Sequence, residues 1–147
     1  MLVNAHFDSV AGSPGASDDG IGVAVMLEAT RSLVMGEALK KPVVMLFNGA
    51  EESNHHAAHG FITQHKWAKS IKYLINLEAI GAGGREMVFQ CNSGELMALY
   101  GKTVPFPHAH AVAHELFKHI IWRAASTDWL TILKHGSPGM YSLEFLL

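Results

Sequence analysis

The sequence predicts an α/β domain with a largely parallel central sheet, because strand-like runs alternate with segments of helical periodicity. Three apolar runs, at residues 2–6, 42–48 and 71–81, are typical of parallel strands that are buried on both faces. A helical pattern from Asp19 to about Val34 separates the first two runs. The 147 residues are enough for a single domain, 1–147, and too few for two.

The remaining predicted elements continue the alternation of strands and helices. They are a loop and helix over 49–66, a strand at 86–90, helices over 94–102, 108–121 and 128–134, and a strand at 140–146. Strand-like sequence therefore stands at both ends of the chain, with no turn or cap outside it. We expect the domain to be truncated at both ends and its fold to be incomplete.

Composition excludes several classes of protein. Apolar residues make up 49% of the chain and charged residues 16%, which indicates a globular domain. The formal net charge of −2 predicts no binding to nucleic acid and no contact with a membrane surface. No run approaches the roughly 18 apolar residues of a membrane-spanning helix. Cys91 is the single cysteine, so no internal disulfide is possible.

Acidic side chains and one histidine stand at or just beyond the ends of the three predicted strands. Because ligands of α/β sheets bind at the carboxyl ends of the strands, we expect these side chains to converge. They are His6, Glu51, Glu52 and Glu78.

His6 and Asp8 share one face of an extended segment, since alternate residues point the same way. This spacing predicts His6 as a metal ligand, with Asp8 accepting a hydrogen bond from its other ring nitrogen or from a nearby ligand group. The alternative is a strand-end histidine paired with a turn aspartate. Asp18 could bridge two cations through its two oxygens, whereas Asp19 is also explained as an acidic helix cap.

The adjacent residues Glu51 and Glu52 follow a buried strand, where two like charges repel unless a cation or a shared proton relieves them. One could bind a metal while the other acts as general base toward a metal-bound water; the alternative is a solvated acidic turn. Glu78 ends a buried strand, and an unpaired buried carboxylate is costly. A metal would be an adequate partner for it.

Taken in order, these residues resemble the zinc aminopeptidases of the Vibrio aminopeptidase and glutamate carboxypeptidase type. Within that group the chain is most similar to the endoplasmic reticulum metallopeptidases. The resemblance covers most of residues 1–140. It rests on the strings VNAHFDSVAGSPGASDDGIGVAVMLE, VVMLFNGAEESNHHAAHGFITQHKWA, INLEAIGAGGREMVFQ and STDWLTILKHGSPGM.

The resemblance implies a three-layer sandwich and a role for each matching residue. His6 and Glu78 would bind one zinc, Glu52 would bind a second, and the Asp18 carboxylate would bridge the two. Glu51 would be the general base and Asp8 the orienting residue, and the peptide bond before Asp19 would be cis. The histidines of the helix after Glu52 are not ligands in this family. The resemblance therefore gives surface or packing roles to all remaining histidines, which are His55, His56, His59, His65, His108, His110, His114, His119 and His135.

The resemblance further implies an exopeptidase acting on peptides, in the lumenal part of a protein anchored in the endoplasmic reticulum membrane. One departure stands out, because the family's fifth ligand, a histidine, would lie beyond Leu147. We therefore expect one firmly bound zinc in this chain, two in the complete domain, and little activity from the chain alone. Three alternatives stay open: an inactive binding domain of the same fold, a mono-zinc glutaminyl cyclase, and an α/β domain without metal.

Overall fold

A computed structural model describes residues 1–79, 84–110, 112, 115 and 126–147. Five strands and four helices make up the regular structure of these residues. The strands are β1 (Leu2–His6), β2 (Val44–Asn48), β3 (Tyr73–Glu78), β4 (Met87–Cys91) and β5 (Tyr141–Leu146). The helices are α1 (Ile21–Met35), α2 (His56–Gln64), α3 (Gly94–Thr103) and α4 (Asp128–His135), with short helical turns at Ala16–Gly20 and Ala68–Ser70.

The strands form one sheet in the order β2-β1-β3-β5-β4. The pairs β1–β2, β1–β3 and β3–β5 are parallel, and β4 alone runs antiparallel, along β5. In this register Asn4 lies beside Asn76, and Asn76 lies beside Glu144. Three polar residues of three strands therefore stand side by side across the middle of the sheet.

Helices cover both faces of the sheet, which makes the three-layer α/β sandwich that the resemblance implies. Alternate strand residues point to opposite faces. Leu2 and Leu74 pack under α2 and α4, while Ala5 and Leu77 pack against Met26 of α1. On the same face as α1, α3 packs on β4 and β5. The mostly parallel sheet predicted from the apolar runs is confirmed.

Most element bounds agree with prediction to within a few residues. The second strand begins at Val44 rather than at residue 42. The backbone N–H of Val44 donates to the carbonyl oxygen of Met1 at 2.8 Å. The first helix begins at Ile21, because the preceding residues form a separate turn in which Asp18 and Asp19 depart from helical backbone angles. The helix predicted over 108–121 falls mostly outside the described residues. Within the described ranges, no helix is both long and apolar enough to span a membrane.

Candidate metal centre

Three polar side chains converge at the carboxyl end of the parallel sheet. His6 is the last residue of β1 and Glu78 the last residue of β3, and both are buried. Asp18 reaches them from the turn between β1 and α1. The parallel pairing of β1 and β3 brings the two strand ends to the same edge, as the sequence predicted.

The ligand atoms of these three residues all lie within 4.8 Å of one another. His6 Nε2 is 3.1 Å from Asp18 Oδ1 and 3.4 Å from Glu78 Oε1. The other ring nitrogen, Nδ1, is 2.9 Å from the backbone carbonyl oxygen of Asp8, so in the neutral ring Nδ1 carries the hydrogen. The Nε2 lone pair of neutral His6 therefore points at the two carboxylates.

Acidic side chains outnumber basic ones at this centre. Burial lowers the pKa of His6, but hydrogen bonding and attraction from Glu78, with Glu51 and Asp19, outweigh burial and raise that pKa to about 10. Glu78 Oε2 is buried and has no hydrogen-bond partner among the residues that the structure describes. A proton on His6 is the only positive charge that these contacts supply, so the cluster favours a bound cation.

Asp19 holds the backbone around the centre through hydrogen bonds. Its carboxylate is fully buried, accepting from the backbone N–H of His6 at 3.2 Å and from that of Gly22 at 3.2 Å. The Asp18–Asp19 peptide bond is cis, as the resemblance implies. Asp19 thus links the end of β1 to the first turn of α1 and leaves Asp18 to face His6.

Asp8 connects the centre to the two glutamates that follow β2. Its Oδ1 accepts from the backbone N–H of Glu51 at 3.2 Å, and its Oδ2 accepts from that of Glu52 at 3.3 Å. The Asp8 carboxylate lies 3.5 Å from His6 Nδ1, farther than the Asp8 carbonyl oxygen. Asp8 therefore orients the ring mainly through its backbone, and its side chain fixes the loop that carries Glu51.

Glu52 lies outside the three-residue cluster. Its Oε1 accepts from the backbone N–H of Val10 at 3.1 Å. Burial raises the pKa of Glu52, and the nearby carboxylates of Asp18 and Glu51 raise it further. The charge of Asp18 therefore acts on Glu52, but Glu52 is not part of the group that His6, Asp18 and Glu78 form.

The sequence did not lead us to predict two structural features near the metal centre. The first is His55, expected only at the surface or in packing, whose Nε2 lies 3.2 Å from Glu51 Oε1. Spacing offered one signal, because Glu51 and His55 are four residues apart.

Among the other histidines, His59 packs edge-to-face on His135 with ring centroids 4.8 Å apart, which agrees with a packing role. His114 and His119 lie outside the described residues.

The second feature is a buried polar network beneath the centre. Asn4 Nδ2 donates to Asn76 Oδ1 at 2.7 Å and to Asp128 Oδ2 at 3.0 Å. Asn76 Nδ2 in turn donates to Glu144 Oε1 at 3.0 Å. Asn48 and Gln90 complete it by donating to Asp128 and Glu144. The signal in the sequence was a polar residue in the middle of otherwise apolar strands.

Fold and centre together define an α/β domain with a histidine–carboxylate cluster at the carboxyl ends of its parallel strands. The model of Peptidase family M28 matches residues 1–144, and the chain belongs to this family. No solved structure matches the chain.

Curated relatives agree with the family. Endoplasmic reticulum metallopeptidase 1 of Homo sapiens is 52% identical over 99% of this chain. The putative endoplasmic reticulum metallopeptidase 1-B of Caenorhabditis elegans is 41% identical over 95% of it, and the vacuolar membrane protease of Candida tropicalis is 33% identical over 95%. The chain spans only 16%, 16% and 15% of these relatives, respectively.

Proposed function

We propose that the chain carries most of the active site of a zinc-dependent exopeptidase of the aminopeptidase type. The single observation that carries the proposal is the convergence of His6, Asp18 and Glu78 within 4.8 Å beside the loop of Glu51. Membership of a peptidase family and the metallopeptidase names of the relatives support it. Peptides are the proposed substrates.

The donor set fits zinc. Zinc in proteins is bound by histidine nitrogen and carboxylate oxygen, with three protein ligands typical of a catalytic site. The Asp8 carbonyl holds the His6 ring so that Nε2 faces the carboxylates, and Glu78 Oε2 is a buried oxygen without a partner in the described part of the chain. Of the described residues, only His6, Asp18 and Glu78 form such a group, so we propose one zinc in this chain.

A second zinc in the complete domain is proposed from the position of Glu52. The Asp18 carboxylate helps to raise the pKa of Glu52, and Asp8 Oδ2, which accepts from the Glu52 backbone N–H at 3.3 Å, ties Glu52 to the residues around His6. Asp18 is the most exposed of the three clustered side chains and could contribute one oxygen to each ion. Glu52 would be a ligand of the second ion only.

The chain's own groups suit the proton transfers of peptide hydrolysis. Bound zinc supplies Lewis acidity toward a peptide carbonyl and lowers the pKa of a water molecule. Glu51 is the proposed general base, which accepts a proton from that water and returns it to the leaving amine. Asp8 holds the Glu51 backbone at 3.2 Å, so the base stays beside the cluster.

The test of the proposed function replaces Glu51 by Gln, which keeps size and removes basicity. Because the chain spans only 16% of its human relative, hydrolysis of an aminoacyl-p-nitroanilide is measured in the parent protein, meaning this chain with its flanking sequence. We expect zinc content to be unchanged and kcat to fall about 100-fold or more. Unchanged kcat would exclude Glu51 as the base, and a wild type without zinc or hydrolysis would contradict the proposed function.

We also propose that the parent protein lies in the endoplasmic reticulum membrane with this domain in the lumen. The support is the names of the relatives, which refer to the endoplasmic reticulum and to a vacuolar membrane. Protease protection of the domain in sealed microsomes is the expected result. Digestion of the domain without detergent would place it on the cytosolic side instead.

A further inference from the structure

One titratable side chain contacts the proposed base from outside the metal cluster. His55 directly precedes α2 and adopts a left-handed backbone conformation, with φ of 57°. Only 12% of its side chain is exposed, and its Nε2 lies 3.2 Å from Glu51 Oε1 and 2.7 Å from the carbonyl oxygen of Ser126. The ring is therefore held between the loop of Glu51 and the residues that precede α4.

The neighbours of the His55 ring decide where its hydrogen lies. The Ser126 carbonyl can only accept a hydrogen bond, so Nε2 must carry a hydrogen. On the other side of the ring, Thr131 Oγ1 lies 3.3 Å from Nδ1, and its hydroxyl can donate to that nitrogen in the neutral ring. The N–H of Nε2 is directed at the Ser126 carbonyl, and Glu51 Oε1 lies 3.2 Å from the same nitrogen, at ion-pair distance.

The contact leaves the two oxygens of Glu51 in different surroundings. Oε1 faces His55, whereas Oε2 makes no hydrogen bond with the described part of the chain. A base needs one oxygen free to accept the proton, and a carboxylate held by its other oxygen presents that free oxygen in a fixed direction. Interaction with the Glu51 carboxylate also raises the pKa of His55, against the effect of burial, and Asp128 adds to the increase.

We propose that His55 is a positioning residue for Glu51: its ring, fixed by Ser126, lies against Oε1 and leaves Oε2 to face the metal cluster. This inference rests on the proposed function of Glu51 as general base. His55 does not touch the cluster of His6, Asp18 and Glu78, and it stays outside the zinc-binding group. Its removal should therefore affect the chemical step and leave zinc binding unchanged.

The test compares His55→Asn with His55→Gln in the zinc-loaded parent protein. Asparagine accepts the left-handed backbone but is too short to reach Glu51, whereas glutamine can place an amide N–H near the position of Nε2. We expect kcat for the aminoacyl-p-nitroanilide to fall about tenfold in His55→Asn, with KM and zinc content unchanged, and to recover in part in His55→Gln. His56→Asn is the matched control, because His56 is the exposed neighbouring histidine that begins α2, and it should keep wild-type kcat.

A double substitution and an NMR measurement separate this inference from the function on which it rests. In a Glu51→Gln background, His55→Asn should cause no further loss of kcat; an equal loss in both backgrounds would overturn the proposal. In the chain alone, Glu51→Gln should lower the NMR-determined pKa of His55, and an unchanged pKa would also overturn it. Absence of hydrolysis by the wild type contradicts the proposed function, while the NMR result still decides whether His55 holds Glu51.

Discussion

Asn4 Nδ2 donates to Asp128 Oδ2 at 3.0 Å, so the first strand and the last helix are joined inside the protein although 124 residues separate them. Both side chains are essentially inaccessible to solvent. Asn48 at the end of β2 donates to the same oxygen. The ends of β1 and β2, which carry the candidate site, are thereby fixed to α4.

Replacing Asp128 by Ala should destabilise the fold without touching the metal cluster. The change leaves the buried amide of Asn48 without its acceptor and removes one of two acceptors of Asn4. An unsatisfied buried donor costs about 1–3 kcal/mol, so the free energy of unfolding should fall by roughly that amount. Urea denaturation measures it, with exposed Glu37→Ala as the control expected to change less than about 0.5 kcal/mol. Equal stability of the two variants would show that this network contributes little.

Glu144 should make stability depend on pH. Its complete burial raises its pKa to about 8, although Thr127 and Asn76 donate to it and oppose the increase. The unfolded chain has the ordinary glutamate pKa of 4.5 and therefore loses the proton first as pH rises. Stability is then full below pH 4.5, declines as pH rises toward 8 by at most about 1.4 kcal/mol per pH unit, and is constant above that.

Glu144→Gln removes this titration because the amide stays neutral. The free energy of unfolding is measured by urea denaturation at several pH values, with a chelator present to exclude metal. The wild type should lose stability relative to Glu144→Gln between about pH 4.5 and 8. Parallel curves for the two proteins would mean that Glu144 is ionised in the folded state at neutral pH.

Asp8→Ala should impair the reaction more than it impairs zinc binding. The substitution removes the acceptor of the Glu51 and Glu52 backbone N–H groups but keeps the Asp8 carbonyl, which holds the His6 ring. We expect kcat in the parent protein to fall about tenfold or more, while zinc affinity of the chain changes less than it does in a His6 variant. Steady-state kinetics and zinc titration check the two halves of this expectation; a loss of zinc affinity matching that of His6→Ala would contradict it.

The sheet and part of the site were predictable because each depended on local pattern. The apolar runs predicted the parallel strands, and the rule that ligands bind at strand ends placed His6 and Glu78 at one edge. The network of Asn4, Asn76 and Glu144 was missed because it depends on the lateral register of β1, β3 and β5. Apolar runs indicate that strands exist but do not fix which residues lie side by side.

The contact between His55 and Glu51 was missed for a different physical reason. A regular helix over both residues would place them on neighbouring turns, yet the chain between them is a loop. Left-handed conformations at Asn54 and His55 direct the His55 ring toward Glu51 and Ser126. Neither spacing nor composition specifies such backbone angles at a particular residue.

The central claim is that His6, Asp18 and Glu78 hold a zinc ion, and a zinc titration tests it most directly. The dissociation constant of the metal-free chain is measured by competition with a chromogenic chelator, beside Glu78→Gln, His6→Ala and the control His56→Ala. We expect one equivalent of zinc per chain, affinity reduced at least about tenfold in the Glu78 and His6 variants, and wild-type affinity in the control. Wild-type zinc affinity in Glu78→Gln and His6→Ala would contradict the claim.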